Sequence, residues 1–171
     1  TRYGTVTGVQ TCALPILIVV LREPLRRALS WFQHRQRLLG GGEEAEAVIS
    51  AELEALEALS ADERARLGWR SPNCLAGSLY VDQLRRWHRC YKQHQILVLR
   101  FEDLVIDPEA TCHRVGRFLG LPQREMTAVV RQTLGQAWNV APEPYPPLSS
   151  RLAGRCRRTL LSEALLLWQQ L

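Results

Sequence analysis

An arginine and a serine flank a predicted strand-to-helix junction near the start of the chain. Arg22 follows directly after the apolar run Ile16–Leu21, and Ser30 comes eight residues later. Arginine can hold phosphate or sulfate oxygens with two parallel N–H groups, and a serine hydroxyl can donate one more hydrogen bond. The pair therefore indicates an anion-binding site. The residues leave an alternative equally open, in which Arg22 pairs with Glu23 and Ser30 bonds back to its own helix.

The elements around this pair would place it where ligands bind in α/β proteins. Ile16–Leu21 is short, continuous and rich in β-branched residues, which predicts a strand buried on both faces of a parallel sheet. Pro24 suits the first turn of a helix, which Gly40-Gly41-Gly42 would end. Ligands collect outside the carboxyl ends of such strands, and the start of the next helix offers free N–H groups and partial positive charge to an anion.

The rest of the chain is predicted to be helical, apart from one further strand and one loop. Ile96–Phe101 has the second buried-strand pattern, and the prolines of Ala141–Pro147 predict a loop. Trp87 and Tyr91 are assigned to the core by their helical spacing from Tyr80 and Leu84. Helices are predicted at Glu43–Leu59, at a segment opened by the Ser60–Glu63 capping box and closed by Gly68, around Tyr80–Tyr91, from Asp107-Pro108 to Gly120, at Arg124–Leu134 and at Ser149–Leu171. The predicted fold class is α/β, with a parallel sheet that looks incomplete.

Composition predicts an ordinary globular protein in a reducing compartment. The chain is 46% hydrophobic and 23% charged, and its longest apolar run, Ala13–Leu21, is too short to cross a bilayer. Five cysteines without a CxxC pair and four histidines without metal-ligand spacing predict neither a disulfide framework nor a metal site. We therefore expect a cytoplasmic protein with no membrane partner.

The net charge of +5 comes almost entirely from arginine, since Lys92 is the single lysine. An arginine excess suits a polyanionic ligand or a nucleotide, although solvated helix faces explain it as well. The arginines are spread over several predicted helices among acidic residues, whereas a nucleic-acid-binding helical module would cluster them on one face with aromatic residues. We therefore expect no nucleic acid among the partners.

The segment Leu21–Ser30 resembles the 3′-phosphate-binding motif of sulfotransferases. In that motif a strand ends in Leu-Arg, then come x-Pro, an arginine, and a serine eight residues after the first arginine. Ser30–Arg35 is similar to the following helix in the N-sulfotransferase domain of heparan sulfate N-deacetylase/N-sulfotransferases, and bacterial sulfotransferase-domain proteins are similar as well. Further similar segments follow in order at Cys74–Tyr80, Leu84–Trp87, Gln95–Leu99, Glu102–Leu104, Asp107-Pro108, Phe118–Pro122 and Tyr145–Leu148.

The resemblance implies a role for three residues. Arg22 and Ser30 would bind the 3′-phosphate of the co-substrate 3′-phosphoadenosine 5′-phosphosulfate, and Trp138 would flank its adenine. Packing at a helix end is an equally good explanation of Trp138. The implied fold is a P-loop-type three-layer parallel sheet with a helix-rich remainder. The intact domain would transfer a sulfuryl group to a hydroxyl or amine acceptor, possibly a carbohydrate, without a metal.

The chain departs from the family on its N-terminal side. The family's Gly-rich phosphosulfate loop, with its lysine, and the general base would lie upstream of Leu17, and this chain contains neither, so no catalytic residue is assigned. Residues 1–16 resemble a translated sequencing adapter and are predicted to be a non-native leader. Residues 17–171 are then expected to be the C-terminal part of a single sulfotransferase domain, inactive as it stands.

A P-loop kinase or NTPase is the alternative within the same fold class. It would need the pattern G-x-x-x-x-G-K-[ST] and a metal-binding aspartate, and neither is present. The ordered series of downstream segments favours the sulfotransferase.

Overall fold

Two parallel strands form the sheet in the described part of the chain. The computed structural model describes residues 17–67, 73–122, 127 and 144–161. Strand β1 (Leu17–Leu21) pairs with β2 (Ile96–Arg100) in parallel, from Leu17 opposite Ile96 to Leu21 opposite Arg100. Both strands therefore end at the same edge. The predicted α/β class with parallel strands is confirmed.

Helices make up most of the remaining described residues. Two short 3₁₀ turns lie at Ala76–Ser78 and Gln93–Gln95. The helices are α1 (Pro24–Leu39), α2 (Ala45–Ala58), α3 (Ala61–Arg66), α4 (Tyr80–Cys90), α5 (Phe101–Ile106), α6 (Pro108–Leu119) and α7 (Ser150–Leu161). None of the helices within the described ranges has the length and apolarity that crossing a membrane requires.

Local signals in the sequence set the helix ends as predicted. Pro24 and Pro108 lie in the first turns of α1 and α6, where the missing N–H is not needed. Ser60 and Glu63 form the reciprocal capping box that opens α3. Gly40 ends α1 at φ 87°, and its N–H bonds to the Gln36 carbonyl. That left-handed conformation suits glycine, which has no Cβ to clash.

The main core lies where α1, α2 and α7 pack together with the segment before α4. Its fully buried side chains include Ile49, Leu53 and Leu56 of α2 and Leu75. A smaller cluster lies under the sheet, where Leu21 packs with Tyr80 and Leu84 of α4. This second cluster connects α4 to the carboxyl end of β1.

Three predictions about burial and secondary structure are wrong. Strand β1 is not buried on both faces, because Ile18 is 40% exposed and Val20 is 47% exposed on the face opposite Leu21. Trp87 is 42% exposed and Tyr91 half-buried, so neither belongs to the core. Helical spacing identifies which face of α4 is apolar, but it does not show how much of that face its neighbours cover. Phe101, predicted to end the second strand, begins α5 instead.

Several predictions concern residues outside the described ranges. These are the leader at 1–16, Gly68, nearly all of the helix at 124–134, Trp138, the start of the loop at 141–143 and the last part of the C-terminal helix at 162–171.

Candidate functional site

The register of the sheet brings Arg22 next to an aromatic ring. Because Leu21 lies opposite Arg100, the following residues Arg22 and Phe101 leave the sheet at the same edge. The Arg22 guanidinium carbon lies 4.7 Å from the centroid of the Phe101 ring and 5.4 Å from that of Tyr145. Rings at these distances attract a cation electrostatically. Two residues from distant parts of the chain therefore hold this guanidinium.

The side-chain carboxylate of Glu23 caps the start of α1. Glu23 Oε2 accepts a hydrogen bond of 2.7 Å from the Arg26 amide, and Glu23 Oε1 lies 3.9 Å from Arg157 Nε. The Glu23 amide itself donates to Glu102 Oε1 at 2.9 Å. The prediction of free N–H groups for an anion at this helix start is therefore wrong for the Arg26 amide, and Glu23 does not pair with Arg22. An anion would instead meet the side chains of α1.

Arg22 and Ser30 line one cavity. Its volume is about 620 Å³, and the lining residues are Arg22, Arg27, Ser30, Trp31, His34, Arg37 and Leu38. Ser30 is half-buried, and its hydroxyl makes no hydrogen bond to another residue of the described part of the chain. The alternative in which Ser30 bonds back to its own helix is therefore wrong, and the hydroxyl can donate to a ligand.

Five of the cavity residues were not among the predicted site residues. Arg27, Trp31, His34, Arg37 and Leu38 share a face of α1 with Ser30, since each lies three or four positions from another member of the set. The Trp31 and His34 rings lie 5.3 Å apart between centroids. The signal that would have found these residues is the helical period itself, counted from Ser30 in both directions. Three guanidinium groups make the cavity strongly basic.

Tyr80 lies under the junction that presents Arg22. The side chain is buried against Leu21 and Leu84, and burial raises the pKa of its phenol to about 12. The positive charge of Arg27 and a hydrogen bond from the Arg22 backbone act against that rise. The Tyr80 hydroxyl therefore lies close to both arginines and remains a neutral phenol at physiological pH.

One predicted site residue has no counterpart in these contacts. Trp138 lies outside the described residues, so its expected position beside an adenine stays a prediction. In the ranges that the structure describes, no group of three or more His, Cys, Asp or Glu side chains is arranged to hold a metal ion.

Comparison with known proteins identifies the family. The model of the sulfotransferase domain matches residues 16–137, which is most of the chain. The chain therefore belongs to the sulfotransferase domain family, as its motifs predicted. This membership also decides against the kinase or NTPase alternative.

The curated relatives are heparan sulfate enzymes of animals. Bifunctional heparan sulfate N-deacetylase/N-sulfotransferase 2 of Mus musculus is 33% identical over 107 residues, covering 61% of this chain and 11% of that protein. The Homo sapiens protein of the same name is 31% identical over 107 residues, which cover 61% of this chain and 11% of that protein. Bifunctional heparan sulfate N-deacetylase/N-sulfotransferase 1 of Caenorhabditis elegans is 24% identical over 115 residues, which cover 67% of this chain and 13% of that protein. The chain thus spans about a tenth of their length. The resemblance to bacterial proteins stays a prediction.

Proposed function

We propose that Arg22 and Ser30 bind the 3′-phosphate of 3′-phosphoadenosine 5′-phosphosulfate, and that Trp138 flanks the adenine. The observation that carries the first part is that both side chains line the same basic cavity at the carboxyl end of β1. Ligands of α/β proteins bind at this edge of the sheet. Family membership supports the choice of a sulfate donor over other phosphorylated nucleotides.

The donor set at this edge fits a phosphate monoester. The Arg22 guanidinium carbon lies over the rings of Phe101 and Tyr145, and these cation–π contacts use none of its N–H groups. A guanidinium binds phosphate through that edge, with two parallel hydrogen bonds. The Ser30 hydroxyl adds one donor from the first turns of α1.

The intact domain is proposed to transfer the sulfuryl group in line. The acceptor oxygen or nitrogen bonds to sulfur while the bond between sulfur and the bridging oxygen breaks, and adenosine 3′,5′-bisphosphate leaves. The acceptor proton passes to a general base upstream of Leu17 in the family's arrangement. Such transfers depend on positioning and on cationic stabilisation of the charge that builds on the leaving oxygen. Arg22 and Ser30 would fix the position of the donor and take no part in bond making.

We propose a carbohydrate acceptor, since the curated relatives are named for heparan sulfate. The cavity continues along α1 past Ser30 to Trp31, which is 40% exposed, and to Arg37. An exposed ring and a cation that line the same cavity suit an acidic sugar, which has apolar C–H faces and negative groups.

We further propose that residues 17–171 form the C-terminal part of one sulfotransferase domain with a P-loop-type three-layer sheet. The exposed faces of Ile18 and Val20 support this proposal, since a three-layer sheet would cover them. On this proposal the 171-residue chain binds nucleotide but does not transfer sulfate. A cytoplasmic location also stays a prediction.

The direct test is calorimetric titration of the full chain with adenosine 3′,5′-bisphosphate and with adenosine 5′-monophosphate, which lacks the 3′-phosphate. We expect tighter binding of the bisphosphate. Arg22→Ala should weaken it about tenfold or more, because a charge-assisted hydrogen bond contributes about 1.5–3 kcal/mol. Ser30→Ala should weaken it by a smaller factor, since it removes one hydrogen bond and no charge, whereas Arg22 can supply two parallel hydrogen bonds and a positive charge.

Arg26→Ala is the matched control. Arg26 lies on the same helix, is exposed and does not line the cavity, so its removal lowers the net charge by the same amount. Equal affinity for the two nucleotides, or equal losses in Arg22→Ala and Arg26→Ala, would contradict the proposed site.

A further inference from the structure

We propose that Arg27 is a second guanidinium ligand of the 3′-phosphate and that Gly77 positions it. This inference rests on the proposed function, because it adds a residue to the same site. Arg27 and Ser30 lie one helical turn apart on α1, and both line the cavity with Arg22. A ligand that contacts Arg22 and Ser30 therefore lies within reach of Arg27.

The charge of the cavity favours a dianion. Arg22 and Arg27 form no ion pair with a carboxylate of the described residues, although Glu23 and Glu102 lie nearby. Glu23 caps α1 and faces Arg157, and Glu102 accepts from the Glu23 amide. Neither guanidinium is therefore bound to a carboxylate of the described residues, so both can pair with the oxygens of one bound anion. A phosphate monoester carries a charge of about −1.5 to −2 at neutral pH, which matches two cations.

Gly77 forms the surface on which the Arg27 guanidinium rests. A Cβ at Gly77 would lie 2.3 Å from Arg27 Nη1, 2.6 Å from Nη2 and 2.7 Å from Cζ. The guanidinium therefore occupies the space that a side chain at position 77 would need. Arg27 Nη1 also donates to the Cys74 carbonyl at 3.2 Å. This bond uses one of five N–H groups and leaves others for a ligand.

This arrangement makes Gly77→Ala a selective probe of the position of Arg27. Gly77 does not have the positive φ that would strain an alanine, unlike Gly40 or Gly120. The atoms that a methyl group would meet belong to the far end of a flexible side chain, so the guanidinium can shift while the backbone stays in place. The variant keeps the charge of Arg27 and changes its position.

The experiment compares Arg27→Ala and Gly77→Ala with the unaltered chain, again with adenosine 3′,5′-bisphosphate and adenosine 5′-monophosphate. We expect both variants to bind the bisphosphate about tenfold more weakly, the effect of one charge-assisted hydrogen bond, and the monophosphate with unchanged affinity. Gly154→Ala is the matched control, since a Cβ there meets Arg158 Nη1 at an ordinary 3.6 Å. It should leave both affinities unchanged.

The outcomes separate this inference from the proposed function. If the unaltered chain does not prefer the bisphosphate, the proposed function fails. If it does, and Arg22→Ala removes the preference while Arg27→Ala and Gly77→Ala retain it, only the role of Arg27 is overturned. A loss in Arg27→Ala with full affinity in Gly77→Ala overturns the positioning by Gly77. Should Arg27→Ala fail to fold, Gly77→Ala decides the question, because it retains the arginine.

Discussion

Arg22 lies over the ring of Phe101, with its guanidinium carbon 4.7 Å from the ring centroid. The parallel register, in which Leu21 is opposite Arg100, brings these two residues together. An aromatic face restricts a guanidinium without using any of its N–H groups. Phe101 is therefore a positioning residue for the group that we propose to bind phosphate.

Phe101→Leu should weaken binding of adenosine 3′,5′-bisphosphate a few-fold. An exposed cation–π contact contributes about 0.5–1 kcal/mol, and its loss lets the Arg22 side chain leave the bound orientation. Calorimetric titration measures the effect. Phe101→Tyr keeps the aromatic ring and should bind the bisphosphate as tightly as the unaltered chain does. This result would show that the ring, and not packing in general, accounts for the effect of Phe101→Leu.

Trp87→Leu is the control for this prediction, because Trp87 is a partly exposed aromatic residue that does not line the cavity. If Trp87→Leu weakens binding as much as Phe101→Leu, the contact with Arg22 is not the cause.

Local sequence signals predicted the elements that present the site. Pro24 and Gly40 mark the ends of α1, and the Ser60–Glu63 box opens α3, because each of these residues interacts within its own turn. Arg22 and Ser30 were found in the same way, from a strand end and a helix start. These features depend on residues that are close in the sequence.

The partners of the site residues could not be predicted in this way. Phe101 and Tyr145 hold Arg22, and Gly77 holds Arg27, but all three come from distant parts of the chain. Their contacts depend on the register of two strands and the packing of helices, which no local spacing encodes. The burial of Ile18 was misjudged for a related reason, since an apolar strand pattern does not show which neighbours cover each face.

Two glutamates of α2 attach the C-terminal helix α7 and should make its docking sensitive to acid. Hydrogen bonds from the side chain and amide of Ser149 lower the pKa of Glu46, and a hydrogen bond from Arg155 is the main cause of the lowered pKa of Glu57. A lowered folded-state pKa means that the contribution is complete above the ordinary glutamate value of 4.5 and is lost as pH falls through the folded value. Urea midpoints should therefore fall as the pH is lowered from about 6 to about 3.

Glu46→Gln and Glu57→Gln should reduce this pH dependence, because glutamine cannot gain a proton in the same range. Glu44→Gln is the control, since Glu44 is exposed and makes no side-chain capping bond. Equal pH dependence in all three variants and the unaltered chain would show that these contacts do not contribute.

The cysteines should differ widely in reactivity toward a disulfide reagent such as Ellman's reagent. Burial raises the pKa of Cys74 to about 12 and that of Cys156 to about 11, whereas Cys90 is exposed. Since only the thiolate reacts, Cys90 should be modified rapidly at about pH 8, and the two buried thiols only when the fold opens. Mass spectrometry of digested samples assigns each site, and similar rates at Cys74 and Cys90 in the native chain would contradict the burial.

The rate at Cys74 also reports on the proposed phosphate site, because the Cys74 carbonyl accepts the hydrogen bond from Arg27. A nucleotide that binds Arg27 favours by mass action the folded state, in which the Cys74 thiol is buried. Adenosine 3′,5′-bisphosphate should therefore slow modification of Cys74 more than adenosine 5′-monophosphate does, at concentrations where the bisphosphate is bound. Modification of Cys90 at the end of α4 should not change, and Arg27→Ala should remove the protection while Arg26→Ala retains it. Protection of Cys74 and Cys90 to the same degree would indicate a general stabilisation of the fold and would argue against a contact between the 3′-phosphate and Arg27.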